Sequence, residues 1–159
     1  MKKTILLAAT IFLMVLIFFF SAQPADDSTQ LSNGTGAFIC RLFIPGFQEL
    51  SVQEQQQYIE GIDHAVRKTA HGTEYCILAI LCAATLLAWI KKKSRKLLLC
   101  SGFLIAVLYS VTDEIHQSFV PGRACMFTDI LIDAAGALIG ILLFALILRL
   151  RKPQNRSVS

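Results

Sequence analysis

Four apolar runs, at residues 4–20, 76–90, 97–112 and 130–150, decide what this chain folds into. A membrane-spanning helix takes about 20 mainly apolar residues. The second and third runs fall short of that, so their polar ends reach the headgroup zone or are shielded by neighbouring helices. A soluble protein with two buried hairpins is excluded. With 55 % of 159 residues hydrophobic, too little polar chain remains to cover four such helices. The expected fold class is an all-α membrane protein with four transmembrane helices, in one domain over 1–159. The spans are placed at 4–22, 67–90, 97–114 and 128–150, with an amphipathic or interfacial helical outer segment at 24–65.

Charge sets the expected orientation. Lys2, Lys3, Lys91, Lys92, Lys93, Arg95, Lys96, Arg149, Arg151, Lys152 and Arg156 flank one side of the spans with no acid among them. All eleven acids and all three histidines lie in the two other connections, with Arg41, Arg67, Lys68 and Arg123. One side thus carries +11 and the other −7, which together give the net +4. Positive residues stay inside, so both termini of this multi-pass membrane protein are expected in the cytoplasm. The basic tracts face anionic headgroups rather than nucleic acid, because they border membrane spans.

The first run resembles a signal peptide in outline. Its apolar stretch is long, and Ser21-Ala22-Gln23-Pro24 offers no good cleavage site, so an uncleaved first span is favoured. In the outer segment, Asp26, Asp27 and Ser28 read as a helix cap. Leu31, Phe38, Ile39, Leu42 and Phe43 then share a helical face broken by Gly34 and Gly36. Such a helix lies on the membrane surface or packs over the bundle top. Asn33-Gly34-Thr35 matches a glycosylation tripeptide by chance. Pro45-Gly46 marks a turn, and Ser51-x-x-Glu54 a capping box opening a glutamine-rich helix. His64 is expected to be solvated.

Polar residues then recur where the spans meet the outer side. Arg67, His71, Glu74 and Leu78 follow helical spacing, with Lys68 and Tyr75 alongside. Tyr75 reads equally as an interfacial anchor. Asp113, His116 and Gln117 share a face ahead of Pro121-Gly122, the turn that ends that helix. Asp129 and Asp133 lie one turn apart, and Gly136 and Gly140 permit a close helix contact. Charges in a bilayer cost ~2.5–3.5 kcal/mol or more on insertion scales, so they point inward and pair. One shared polar cavity near the outer leaflet is expected. Glu74, Asp113, Glu114, Asp129 and Asp133 stand against Arg67, Lys68 and Arg123, leaving two negative charges over. A proton, a bound cation or a cationic ligand group would offset them.

These motifs carry a family resemblance. Phe20-Ser-x-Gln23, Arg67-Lys-x-Ala-His-x-x-Glu-Tyr75, Asp113-Glu-x-His-Gln-x-Phe-x-Pro-Gly-Arg123 and Asp129-x-x-x-Asp133-x-x-Gly136 resemble the VanZ-like family, in order, through nearly the whole chain. Its members are integral membrane proteins, and the namesake group is linked to resistance to teicoplanin-type lipoglycopeptides. The resemblance implies a cell-envelope role and supplies no reaction, so enzyme status stays open.

Three readings follow. In the first, a pocket at the outer leaflet binds a lipid-linked cell-wall precursor, a lipid headgroup or a lipoglycopeptide. Its ligand-binding candidates are Gln23, Arg67, Lys68, Tyr75, Gln117, Arg123, Asp129 and Asp133, with the arginines on phosphate or carboxylate. In the second, a membrane-embedded hydrolase or transferase uses His71, Glu74, Asp113, Glu114 or His116 in acid–base chemistry. Its metal version places a divalent cation on His71, Glu74, Asp113 and His116; nothing in the motifs requires that ion, and no cofactor is expected. In the third, the charges are structural ion pairs in a partner-binding protein. No Ser or Cys has an evident His partner for acyl-enzyme chemistry, and there is no glycine-rich phosphate loop. Cys82 and Cys100 read as apolar core. A Cys40–Cys125 bridge fits the outer side, but five cysteines make no disulfide framework.

Overall fold

A computed structural model describes residues 2–151, apart from the side chains of residues 25–28, 30 and 31. Lys152, Arg156 and the side chains of Asp26, Asp27, Ser28 and Leu31 therefore lie outside the described residues. Among the described residues five α-helices follow one another: α1 (Lys2–Ser21), α2 (Ala25–Phe43), α3 (Val52–Trp89), α4 (Arg95–Gln117) and α5 (Phe127–Leu150), with a 3₁₀ turn at Phe47–Glu49. There is no strand among the described residues. All the helices except α2 are long and apolar enough to cross a membrane, as the apolar runs require. Large side chains such as Phe12, Leu104 and Leu142 remain more than half exposed, which suits surfaces solvated by lipid tails.

The boundaries follow local chemistry. Pro24 takes the N-cap position of α2, so that helix begins at Ala25, ahead of the expected acidic cap. The turn after it passes through Gly46 at φ 72°, a left-handed conformation that glycine adopts without strain. Ser51 and Glu54 form the expected reciprocal capping box. The helix it opens does not stop where composition changes from polar to apolar. It runs unbroken for 38 residues, so the glutamine-rich outer helix and the second span are one element. Ser94 caps α4 by accepting from the Leu97 N–H. Gly122, at φ 75°, makes the turn that separates α4 from α5.

α3 is the axis of the bundle, and α1, α2, α4 and α5 all pack on it. Its core face, Tyr75, Leu78, Ala79, Cys82 and Ala83, meets Ile17, Ala106, Ala137 and Ile141. Small residues set the closest crossings. A Cβ on Gly136 would stand 2.0 Å from the Gly72 carbonyl oxygen, and one on Gly140 2.3 Å from that of Cys76. The glycine pair thus lets α5 approach the backbone of α3, where lipid offers no hydrophobic drive and association depends on close packing. α1 is fastened more lightly. Its buried face, Thr10, Ile17 and Ser21, repeats at helical spacing. Thr10 shares a 2.9 Å hydrogen bond with Thr85, and the Tyr109 hydroxyl donates to the Met14 carbonyl at 2.6 Å.

The helix α2 lies against the first half of α3. Ser32, Gly36 and Cys40 face inward, and Cys40 packs with Phe47 and Ile59. Phe38, Leu42 and Phe43 stay exposed, leaving an apolar flank of the kind an interfacial helix turns to lipid. All five cysteines are free. Cys40 is buried and Cys125 exposed, so no Cys40–Cys125 bridge exists. Cys100 is exposed as well, on the outside of α4 rather than in the core.

Candidate functional site

Two adjoining cavities lie where the expected polar motifs converge. The larger, about 520 Å³, is bounded by the end of α1, the inner face of α2, the middle of α3 and Arg123 from the α4–α5 loop. Ile17, Phe20, Ile39 and Ile62 give it apolar walls, while Gln23, Arg67, His71, Glu74 and Arg123 supply the polar ones. The smaller, about 190 Å³, is lined by His64, Lys68, Gln117, Asp129 and Asp133 among others. Arg67, His71 and Arg123 border both. The sequence suggests one shared pocket; the fold divides Gln23, Arg67, Lys68, His71, Glu74, Gln117, Arg123, Asp129 and Asp133 between two, and Tyr75, Asp113, Glu114 and His116 line neither.

Each cation is held differently. Arg67 Nη2 lies 2.6 Å from Asp63 Oδ2, one turn back on α3, and the same aspartate accepts from the Ser32 hydroxyl of α2. Lys68 Nζ lies 2.9 Å from Asp129 Oδ1, joining α3 to α5. Arg123 has no ion pair among the described residues. Its Nε donates to the Gln23 carbonyl at 3.0 Å, which orients the guanidinium and leaves its other donors uncommitted to a carboxylate. Burial, and then the neighbouring charge of Arg67, lower the Arg123 guanidinium from its ordinary value.

The carboxylates also have separate roles. Glu114, almost fully buried, accepts from the Met126 N–H at 3.1 Å and so satisfies the start of α5, which has no side-chain cap of its own. That makes it a structural group rather than an exposed acid. Asp113 accepts from Gln117 Nε2 at 3.2 Å, within α4, and its other oxygen has no partner among the described residues. Asp133 accepts from Ser110 Oγ at 2.7 Å through one oxygen, while its Oδ1 is unpartnered. Tyr75 is fully buried with its hydroxyl likewise unpartnered, so it is a core residue and not an interfacial anchor.

His116 leaves the group. Its ring stacks on Phe18 of α1, centroids 4.3 Å apart, while Asp113 and Gln117 turn inward. The expected Asp113–His116–Gln117 face is therefore split, as side chains three and four residues on diverge around the helix enough to meet different neighbours. Among the described residues no three His, Cys, Asp or Glu side chains form a group that could hold a metal ion, so His71, Glu74, Asp113 and His116 do not converge as ligands. His64 is exposed, as expected, and borders the smaller cavity.

Two contributors escape the motif reading. Asp63 sits in a helix read as solvated, yet is buried and anchors Arg67; its i, i+4 spacing to Arg67 is the signal. Ser110 lies inside an apolar run, and its i, i+3 spacing to Asp113 marks it as part of the same face.

The sequence profile of the VanZ/LLP1 family matches residues 6–148, most of the chain. No curated protein and no solved structure matches it.

Proposed function

The chain belongs to the VanZ/LLP1 family, and on that premise we propose that it is a cell-envelope protein of the bacterial cytoplasmic membrane that binds an anionic amphiphile at its outer face. Its termini lie inside, as the basic flanks require. The ligand class is a lipid-linked cell-wall precursor, a phospholipid headgroup or a lipoglycopeptide, all of which join apolar chains to phosphate or carboxylate. The observation that carries this reading is the composition of the larger cavity. Ile17, Phe20, Ile39 and Ile62 offer a surface for an acyl or prenyl chain, and Arg67 and Arg123 stand beside them. Arg123 is fixed by a single backbone bond and is free of any ion pair among the described residues, so its fork is ready for an oxyanion.

Hydrolysis of the bound phosphoester is the second reading. It rests on His71, which borders both cavities, and on Glu74 beside it. His116 and Glu114 have other duties, on Phe18 and on the start of α5.

Photocrosslinking tests the binding reading. A phospholipid with a photoreactive acyl chain, incorporated in membranes holding the protein, is expected to label α1 near Ile17–Gln23 and α2 near Ile39. Arg123→Gln at unchanged membrane level is expected to reduce labelling roughly tenfold, the loss of one charge-assisted contact. Labelling that is spread over the lipid-facing sides of α4 and α5, and indifferent to Arg123→Gln, sinks the proposal.

A further inference from the structure

The order of chemistry across the two cavities specifies more than an anion. On one side lies the larger, mainly apolar chamber. In the middle stand Arg67, His71 and Arg123, which belong to both chambers. On the far side, the smaller chamber presents Gln117, Asp129 and Asp133. Asp133 is only 1 % exposed, and its Oδ1 finds no hydrogen-bond partner among the described residues. A buried acceptor of this kind is costly unless a donor reaches it. Of the cations in the chamber wall, Arg67 is committed to Asp63, Lys68 to Asp129, and Arg123 donates to the Gln23 carbonyl. None of these cations reaches Asp133 Oδ1, and a donor carried by a bound molecule would satisfy it.

We infer that the bound amphiphile is a phosphodiester lipid with a small, donor-bearing head, an amine or vicinal hydroxyls, which occupies the 190 Å³ chamber while the chains occupy the larger one. This rests on the binding reading above and narrows its ligand. The phosphate sits at the partition, within reach of Arg67 and Arg123. The head then points to Asp133 Oδ1 and Gln117. A volume of 190 Å³ is small beside the 300–1,000 Å³ of drug-sized sites, which suits a headgroup of a few heavy atoms and excludes a large glycan.

The test uses the full-length protein in detergent micelles and native mass spectrometry. The probes are phosphatidylethanolamine, phosphatidylglycerol, phosphatidylmethanol and diacylglycerol with matched chains. Phosphatidylmethanol keeps the phosphodiester and lacks head donors. The amine and hydroxyl heads are expected to bind roughly tenfold more tightly than the methyl head, one good hydrogen bond to a charged group. Ala124→Trp, at an exposed position on the rim of the smaller chamber, is expected to bring them down to the methyl level and leave phosphatidylmethanol unchanged. Ala124→Leu gives the same pattern more weakly and serves where Trp lowers protein yield. Asp133→Asn is expected to weaken the amine more than the hydroxyls. Equal binding of all three phosphodiesters, or a parallel loss of all three in Ala124→Trp, overturns the head-chamber inference alone. No phosphodiester binding, or diacylglycerol binding as tightly as the phospholipids, overturns the anion reading beneath it.

Discussion

Ser110 donates its hydroxyl to Asp133 across 2.7 Å, joining α4 to α5 where neither side chain reaches solvent. Interhelical hydrogen bonds in membrane proteins contribute ~0.6 kcal/mol on average, and a buried carboxylate left without its donor costs more, about 1–3 kcal/mol. Ser110→Ala is expected to lower the thermal unfolding temperature in detergent, and Ser110→Thr, which keeps the hydroxyl, to lower it less. Equal stability of the wild type and Ser110→Ala would show that this bond contributes nothing.

Gly136 and Gly140 carry the α3–α5 contact, because added Cβ atoms would reach the Gly72 and Cys76 carbonyl oxygens at 2.0 and 2.3 Å. Gly136→Val is expected to push the helices apart, at a cost of about 1–3 kcal/mol or more from overpacking, and to reduce monodisperse protein on gel filtration. Gly61 is the control. Nothing lies within 4 Å of a Cβ there, so Gly61→Ala is expected to stabilise α3 by about 0.5–1 kcal/mol.

The Lys68–Asp129 pair links α3 to α5 at 2.9 Å, but both side chains keep a quarter or more of their exposure, 25 % and 31 %. Solvent screening holds such a pair to about 0–1 kcal/mol. Lys68→Met is therefore expected to shift stability by less than about 1 kcal/mol, and the shift is expected to shrink as salt rises. A larger, salt-independent loss in a melting series would mean that Lys68 supports the fold through its aliphatic stem.

Cys125 is exposed in the α4–α5 loop, and residue 92 lies in the short connection at the other end of the bundle. On the proposed orientation, with the termini inside, a membrane-impermeant maleimide is expected to label Cys125 on intact cells. A cysteine placed by Lys92→Cys should react only after permeabilisation. The reverse pattern would invert the whole orientation, and with it the side from which a ligand arrives.

The spans were legible because length and hydropathy are local properties of the sequence. So was the Gly136–Gly140 contact, since small residues one turn apart in an apolar run have few other uses. The unbroken length of α3 was not legible. Composition shifts sharply near residue 66, but a helix is interrupted by Gly, Pro or a cap, and no proline or cap stands there. The site shows the same limit. Helical spacing placed Arg67, His71 and Glu74 on one wall, as the structure has them. It could not show that His116 would turn to Phe18 or that Glu114 would serve the start of α5, since both depend on which helix lies alongside.

At 38 residues, α3 is ~57 Å long at 1.5 Å per residue, nearly twice the ~30 Å of a hydrocarbon core. Almost half of it stands beyond the lipid tails, and α2 is mounted on that projecting half. Arg67, His71 and Glu74 are at the fulcrum. The wall that α2 gives the larger cavity thus rests on the part of α3 that lipid tails do not surround.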